Sequence, residues 1–325
     1  MKRVESELIE NVEELLREKK VDLFIGYESG SLPLQTSPCF VTQQEDVQKL
    51  VWNSFCANNL SVYLSSLMRE LPASTKVGIL CKGCDSRSLV NLIVEKQVKR
   101  EDVVIVGISC PGIVNIDKIT NKLDGRKVLE VEENDEEIIL KYDVGEDRFS
   151  RMDNLYESCK NCVHPTPSVY DVLIRVGEHS PKSVTPDPMI AEFSQKSRTE
   201  RWQIFEQELS RCVRCYACRN ACPNCYCKEC FAEQTKPRWF GLTNELSDVL
   251  FYHIVRILHQ AGRCVDCGAC ARACPEKINL RLFTRVLVDE VRERFDYVPG
   301  LSPNDSPLLA MFSNDDSQEF MVEAD

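Results

Sequence analysis

One motif occurs twice in this chain, and it is built on cysteine. RCVRCYACRNACP begins at Arg211 and RCVDCGACARACP at Arg263, and nine of their thirteen positions are identical. Each is a C-x2-C-x2-C-x3-C-P run, the spacing with which three close thiolates hold three corners of a 4Fe-4S cubane while the fourth reaches a second cluster. The spacing therefore predicts one cluster on Cys212, Cys215, Cys218 and Cys274, and another on Cys264, Cys267, Cys270 and Cys222. Pro223 and Pro275 end the two ligand-bearing turns. Structural zinc, the competing use of dense cysteine, favours pairs parted by a longer spacer. Three thiols within seven residues, twice over, fit that poorly. Cys225, Cys227 and Cys230 follow the first run as a partial motif, and they either ligate a further site or pack.

The chain has eighteen cysteines in 325 residues, which points to metal or redox chemistry if the compartment is reducing. Its opening, MKRVESELIENVEELLREKK, spaces Val4, Leu8, Val12, Leu15 and Leu16 as a helix and has no apolar signal core, so a cytoplasmic location is expected. No apolar run is long enough to span a membrane. A net charge of -11 speaks against nucleic acid, whose phosphates are bound by Lys and Arg. Cys39 and Cys56 stand alone and read as buried small residues. His164, His179, His253 and His259 form no motif, the last two reading as surface or packing residues, and Trp52, Trp202 and Trp239 are too scattered for a stacking platform.

Upstream of the repeat, apolar strands alternate with amphipathic helices: VDLFIGY, a helix around VQKLVWNSFCANNLSVYLSSLMREL, KVGILC, SLVNLIVEKQV and DVVIVGISC. That order predicts an α/β domain over residues 1–176 with a largely parallel or mixed sheet. Residues 177–199, rich in Pro and Ser, read as a linker. A helix-rich, ferredoxin-like domain with two 4Fe-4S clusters is expected over 200–300. An acidic tail, 301–325, carries an apolar patch at Leu308, Leu309, Met311 and Phe312 and reads as an arm that orders on a partner.

The stretch CKGCDSRS, residues 81–88, stands where a strand turns into a helix. Ligands of a parallel sheet gather at the carboxyl ends of its strands. KVGILC and DVVIVGISC both end in cysteine, which brings Cys81 and Cys110 to one sheet edge. Cys159 and Cys162 in YESCKNC supply two more thiols toward a third 4Fe-4S cluster, and Cys84 is the alternative to any one of the four.

CKGCDSRS, VGISCPG, ESCKNC and RCVRCYACRNACPNCYCKEC, with the second run, cover about residues 75 to 280. Together they resemble the β subunits of deazaflavin-reducing hydrogenase and, more closely, of methanogen-type formate dehydrogenase, since the hydrogenase subunit has no such dicluster domain. The resemblance implies an α/β domain that holds FAD beside one 4Fe-4S cluster, with Cys81, Cys110, Cys159 and Cys162 as its ligands, and a flavin that exchanges hydride with coenzyme F420. It also implies a hetero-oligomeric oxidoreductase complex. A catalytic α subunit of a formate dehydrogenase or hydrogenase would feed the ferredoxin domain, with a heterodisulfide-reductase-like subunit as another outlet. The alternative is a non-catalytic iron-sulfur relay that has lost its flavin.

No G-x-G-x-x-G fingerprint is present. The turn at Lys82, Gly83, Asp85, Ser86 and Arg87 opens a helix, and Lys82 or Arg87 is placed to pair with a pyrophosphate at its N-terminus. The competing reading is that Ser86 caps the helix and Arg87 is solvated. Asn58 and Asn59 are weaker flavin candidates that capping already explains.

Overall fold

In the computed structural model, which describes residues 2–177 and 187–311, the amphipathic opening forms α1 (Lys2–Arg17). Its buried face is Val4, Leu8, Val12 and Leu15, the stripe that a period of 3.6 places on one side, and it joins the core of the main sheet. β1 (Leu23–Ser29) and β2 (Thr36–Val41) pair antiparallel. The long helix expected next is broken. Only 3-10 turns at Gln44–Lys49 and Leu60–Tyr63 and a short α2 (Leu64–Glu70) form there. Asparagines explain the break, because their side chains take backbone donors that a helix needs. Asn53 Oδ1 accepts from Phe55 N-H at 2.9 Å and Asn59 Oδ1 from Ser61 N-H at 3.2 Å.

β3 (Val77–Cys81) runs directly into α3 (Gly83–Val94), and β4 (Val103–Ile108) follows. After α4 (Ile116–Thr120) comes a separate antiparallel sheet of β5 (Glu130–Glu133), β6 (Glu137–Lys141) and β7 (Glu146–Ser150). It had no counterpart in the sequence reading. α5 (Glu157–Lys160) and β8 (Val172–Ile174) complete the domain. The main sheet has the order β2-β1-β3-β4-β8 and is parallel except at its β2 edge. All five residues of β3 are buried, as a parallel strand covered on both faces requires.

Residues 178–186, including His179, and residues 312–325 of the acidic tail lie outside the described residues. Part of the expected linker is a helix, α6 (Pro188–Gln195). Asp187 caps it by accepting from Met189 N-H at 3.1 Å, and Pro188 suits its first turn. Ile190 and Phe193 then bury against the C-terminal core. That core is built from α7 (Arg198–Leu209), α8 (Ala217–Asn220), α9 (Leu246–Leu258), α10 (Ala269–Arg272) and α11 (Leu280–Phe295). Among the described residues no helix is long and apolar enough to cross a membrane.

The two halves are fastened along α3. Arg87, Asn91 and Glu95, one helical turn apart, all bond to the C-terminal half. Arg87 donates to Pro299 O (2.8 and 3.0 Å) and Val265 O (3.3 Å), Asn91 to Arg263 O (2.7 Å), and Glu95 accepts from Arg263 Nε (2.7 Å). This ladder fixes the turn before α3 against the second cysteine repeat.

Candidate metal centres

The repeats fold alike because each bends through left-handed residues at equivalent places, Arg214 and Tyr216 in the first and Asp266 and Gly268 in the second. Each bend turns its thiols toward a hollow, with Cys215 still exposed, and leads into a single-turn helix, α8 or α10, and these two helices pack together. Cys212, Cys215, Cys218 and Cys274 line one hollow. Cys222, Cys264, Cys267 and Cys270 line another. Each hollow thus takes three thiols from one run and one from the other.

Among the described residues no three His, Cys, Asp or Glu side chains lie close enough to grip a single ion. Four thiols spread around a hollow suit a larger inorganic core instead. Burial pushes Cys267 up to about 12, so ionising these thiols requires a compensating positive charge, which iron supplies. His253, expected at the surface or in packing, is buried with Nε2 3.3 Å from Cys212 Sγ. Burial depresses its imidazole to about 3, so it stands neutral beside the sulfur. Only its place on the apolar face of α9 could have hinted at this from sequence.

A third cavity, of about 310 Å³, lies between the two halves, and Cys84, Cys110, Cys159 and Cys162 line it. Cys81 does not. It is 0% exposed and belongs to the core under the sheet. A strand residue at this register faces the packed layer, and three residues later the first turn of α3 aims Cys84 into the cavity instead. Cys84 therefore takes the place that the sequence reading gave to Cys81. Gly83 makes the turn possible, since a Cβ there would stand 1.9 Å from His164 O. Only glycine lets the Cys159–Cys162 segment close over it.

Of the residues proposed for flavin, Asn58 is exposed and Lys82, Ser86, Arg87 and Asn59 are engaged within the fold. Lys82 Nζ donates to Asn58 O at 2.8 Å and to Tyr27 Oη and pairs with Asp85 at 3.0 Å, all of it buried. Ser86 Oγ bonds the backbone N-H and C=O of Val169 at 3.1 Å each. Arg87, neither solvated nor free, holds the C-terminal half. Asn59 Nδ2 donates to Ser88 Oγ at 3.1 Å, while its Oδ1 caps the Leu60–Tyr63 turn. Asp85, in the first turn of α3, accepts from Lys82 N-H at 2.9 Å. These bonds make the turn a joint of the fold, while Lys82, Gly83 and Arg87 also line the third cavity.

Val265, Asp266 and Cys267 line both the second hollow and the third cavity. Arg272, donating to Cys267 O at 2.7 Å and Ala57 O at 2.9 Å, also lines the third cavity. The three thiol-lined spaces therefore run in sequence from one half of the molecule into the other.

Known proteins resemble this chain over most of its length. Residues 208–278 match the family of 4Fe-4S dicluster domains. The chain is 21% identical to the F420-dependent formate dehydrogenase subunit beta of Methanocaldococcus jannaschii, over 91% of each chain. It is 22% identical to the F420-dependent formate dehydrogenase 1 subunit beta of Methanococcus maripaludis, over 91% of this chain and 90% of that one. A chain of the F420-reducing [NiFe] hydrogenase complex from Methanosarcina barkeri aligns over 50% of this chain and 59% of its own, with 15% identity and a TM-score of 0.38. The chain is thus a homologue of oxidoreductase subunits of the F420-dependent formate dehydrogenase beta type, and it carries a 4Fe-4S dicluster domain.

Proposed function

We propose that the chain is the electron-transfer subunit of a formate dehydrogenase or hydrogenase complex and carries three 4Fe-4S clusters and FAD. The observation that carries the reading is the wall shared by the second hollow and the third cavity at Cys267. The ligands are the two crossed sets of the repeats and, for the third cluster, Cys84, Cys110, Cys159 and Cys162. Bound clusters pass single electrons and a bound FAD exchanges two as hydride, so together they convert one flow into the other. A catalytic α subunit would feed the dicluster half, with coenzyme F420 or a heterodisulfide-reductase-like subunit as the outlet.

The chain's own residues give this route its insulation and its alignment. Arg87 and Arg256, both buried, and half-buried Arg272 place positive charge around the thiols. The α3 ladder holds the third cavity in register with the second hollow. The Gly83–His164 contact closes the cavity behind Cys84.

A relay without flavin is the second reading, and the internal engagement of Lys82, Ser86, Arg87 and Asn59 favours it. Two measurements on anaerobically reconstituted protein decide between the readings. Three cubanes correspond to about twelve irons with matching acid-labile sulfide, and absence of iron overturns the electron-transfer role altogether. An acid extract is expected to contain about one FAD per chain, and an extract without FAD leaves the relay.

A further inference from the structure

Cys225, Cys227 and Cys230 take no part in the three sites above. They line a separate cavity of about 240 Å³ together with Arg219, Lys228 and Arg263. A cysteine kept for packing sits among apolar side chains. These three belong to none of the buried clusters and share their cavity with the cationic side chains of Arg219, Lys228, Arg256 and Arg263, of which Arg219 pairs with Glu233 at 2.9 Å.

The second observation is Arg256. Its side chain is 3% exposed, lines both this cavity and the second hollow, and donates through Nη2 to Cys218 O at 2.9 Å. Among the described residues its Nε and Nη1 have no partner. Asn224, 4% exposed, is shared by the same two spaces and donates through Nδ2 to Arg263 O at 2.7 Å. The two orphaned Arg256 donors are costly at this depth unless something accepts from them, and an inorganic sulfide or a thiolate can. Gln260 already points one donor this way, from Nε2 to Cys225 Sγ at 3.4 Å. The thiols do not converge on a single ion, so mononuclear zinc does not fit while a multi-iron core does.

We propose that Cys225, Cys227 and Cys230 hold a further iron-sulfur centre next to the second cluster. It rests on the electron-transfer reading above and adds a branch to it. Asn224, Arg256 and Gln260 form the common wall, and exposed Cys227 brings the new centre to the surface. Electrons at the second cluster then have two neighbours, the cleft between the halves and a surface port open to another protein.

The test compares the full chain with the variant carrying Cys225→Ser, Cys227→Ser and Cys230→Ser, both reconstituted anaerobically with iron and sulfide. The variant is expected to lose about three or four irons per chain and one set of EPR signals, and to keep the signals of the dicluster domain. Equal iron contents and equal spectra overturn the proposal, as does zinc bound at this site in place of iron. A full chain with no iron at all refutes the electron-transfer reading itself, whereas about twelve irons in both proteins refutes only the branch. Should the triple variant not fold, Cys227→Ser alone, at an exposed position, is expected to speed chelator removal of three or four irons, and an unchanged rate counts against the centre.

Discussion

The dicluster half and the cleft between the halves use the same side chain in opposite ways. In the first, each set of three thiols lies within seven residues, and a local bend repeated at Arg214–Tyr216 and Asp266–Gly268 aims them. In the second, one thiol comes from the start of α3, one from beyond β4 and two from around α5, and the tertiary folding of the α/β half brings them together. Local spacing can specify a ligand set by itself only in the first case. In the second the ligand set is a property of the tertiary fold, and a shift along the chain of three residues, from Cys81 to Cys84, changes it.

The sharpest way to break this comparison is to remove the group common to both regions. Cys267→Ser is expected to remove about four irons and to abolish reduction of the cleft centre by electrons entering at the first hollow, while the first cluster still reduces. EPR of samples frozen during reduction reads both. Next in size is Cys84→Ser, expected to lose about four irons and the spectrum of the cleft centre and to leave both dicluster signals intact. Loss of a dicluster signal in that variant would show that the two regions do not assemble independently.

Much of this was legible beforehand. α1 followed from its stripe and the parallel strands from alternation, and the repeat thiols line two hollows in the groups that their spacing suggests. What stayed hidden depended on contacts between distant residues. Nothing in CKGC distinguishes the cysteine that ends a buried strand from the one that opens a helix, because the burial of β3 on both faces is set by α1, α3 and the neighbouring strands. Arg87 resembles a solvated or phosphate-binding residue until Pro299, more than two hundred positions away, supplies its acceptor. The helix α6 was masked by the Pro that starts it.

Gly83→Ala tests the cleft's closure. A methyl group there meets a backbone carbonyl, so either the turn or the His164 segment must move, at a cost of about 3 kcal/mol. Urea unfolding should report that loss, accompanied by release of iron from the cleft centre alone. Arg87→Ala follows at about 2 kcal/mol, since charge-assisted bonds to Pro299 and Val265 disappear and two carbonyls lose their donor. It is expected to raise protease sensitivity between the halves without removing iron, and Arg87→Lys, which cannot reproduce the forked geometry, should restore only part of the loss.

The smallest effect sharpens the comparison most. Cys81→Ala removes one sulfur from a closely packed core and should cost about 1 kcal/mol, the scale of losing one methylene-sized group. Iron content and EPR are expected to be unchanged. A side chain sealed among apolar neighbours at the end of β3 cannot turn toward the cavity unless the strand's residues change faces, and that would expose the whole row that packs beneath the sheet. Should Cys81→Ala lose the cleft centre while Cys84→Ser keeps it, the register of β3 and α3 differs from the one described, and the ligand set belongs to the strand end rather than to the helix start.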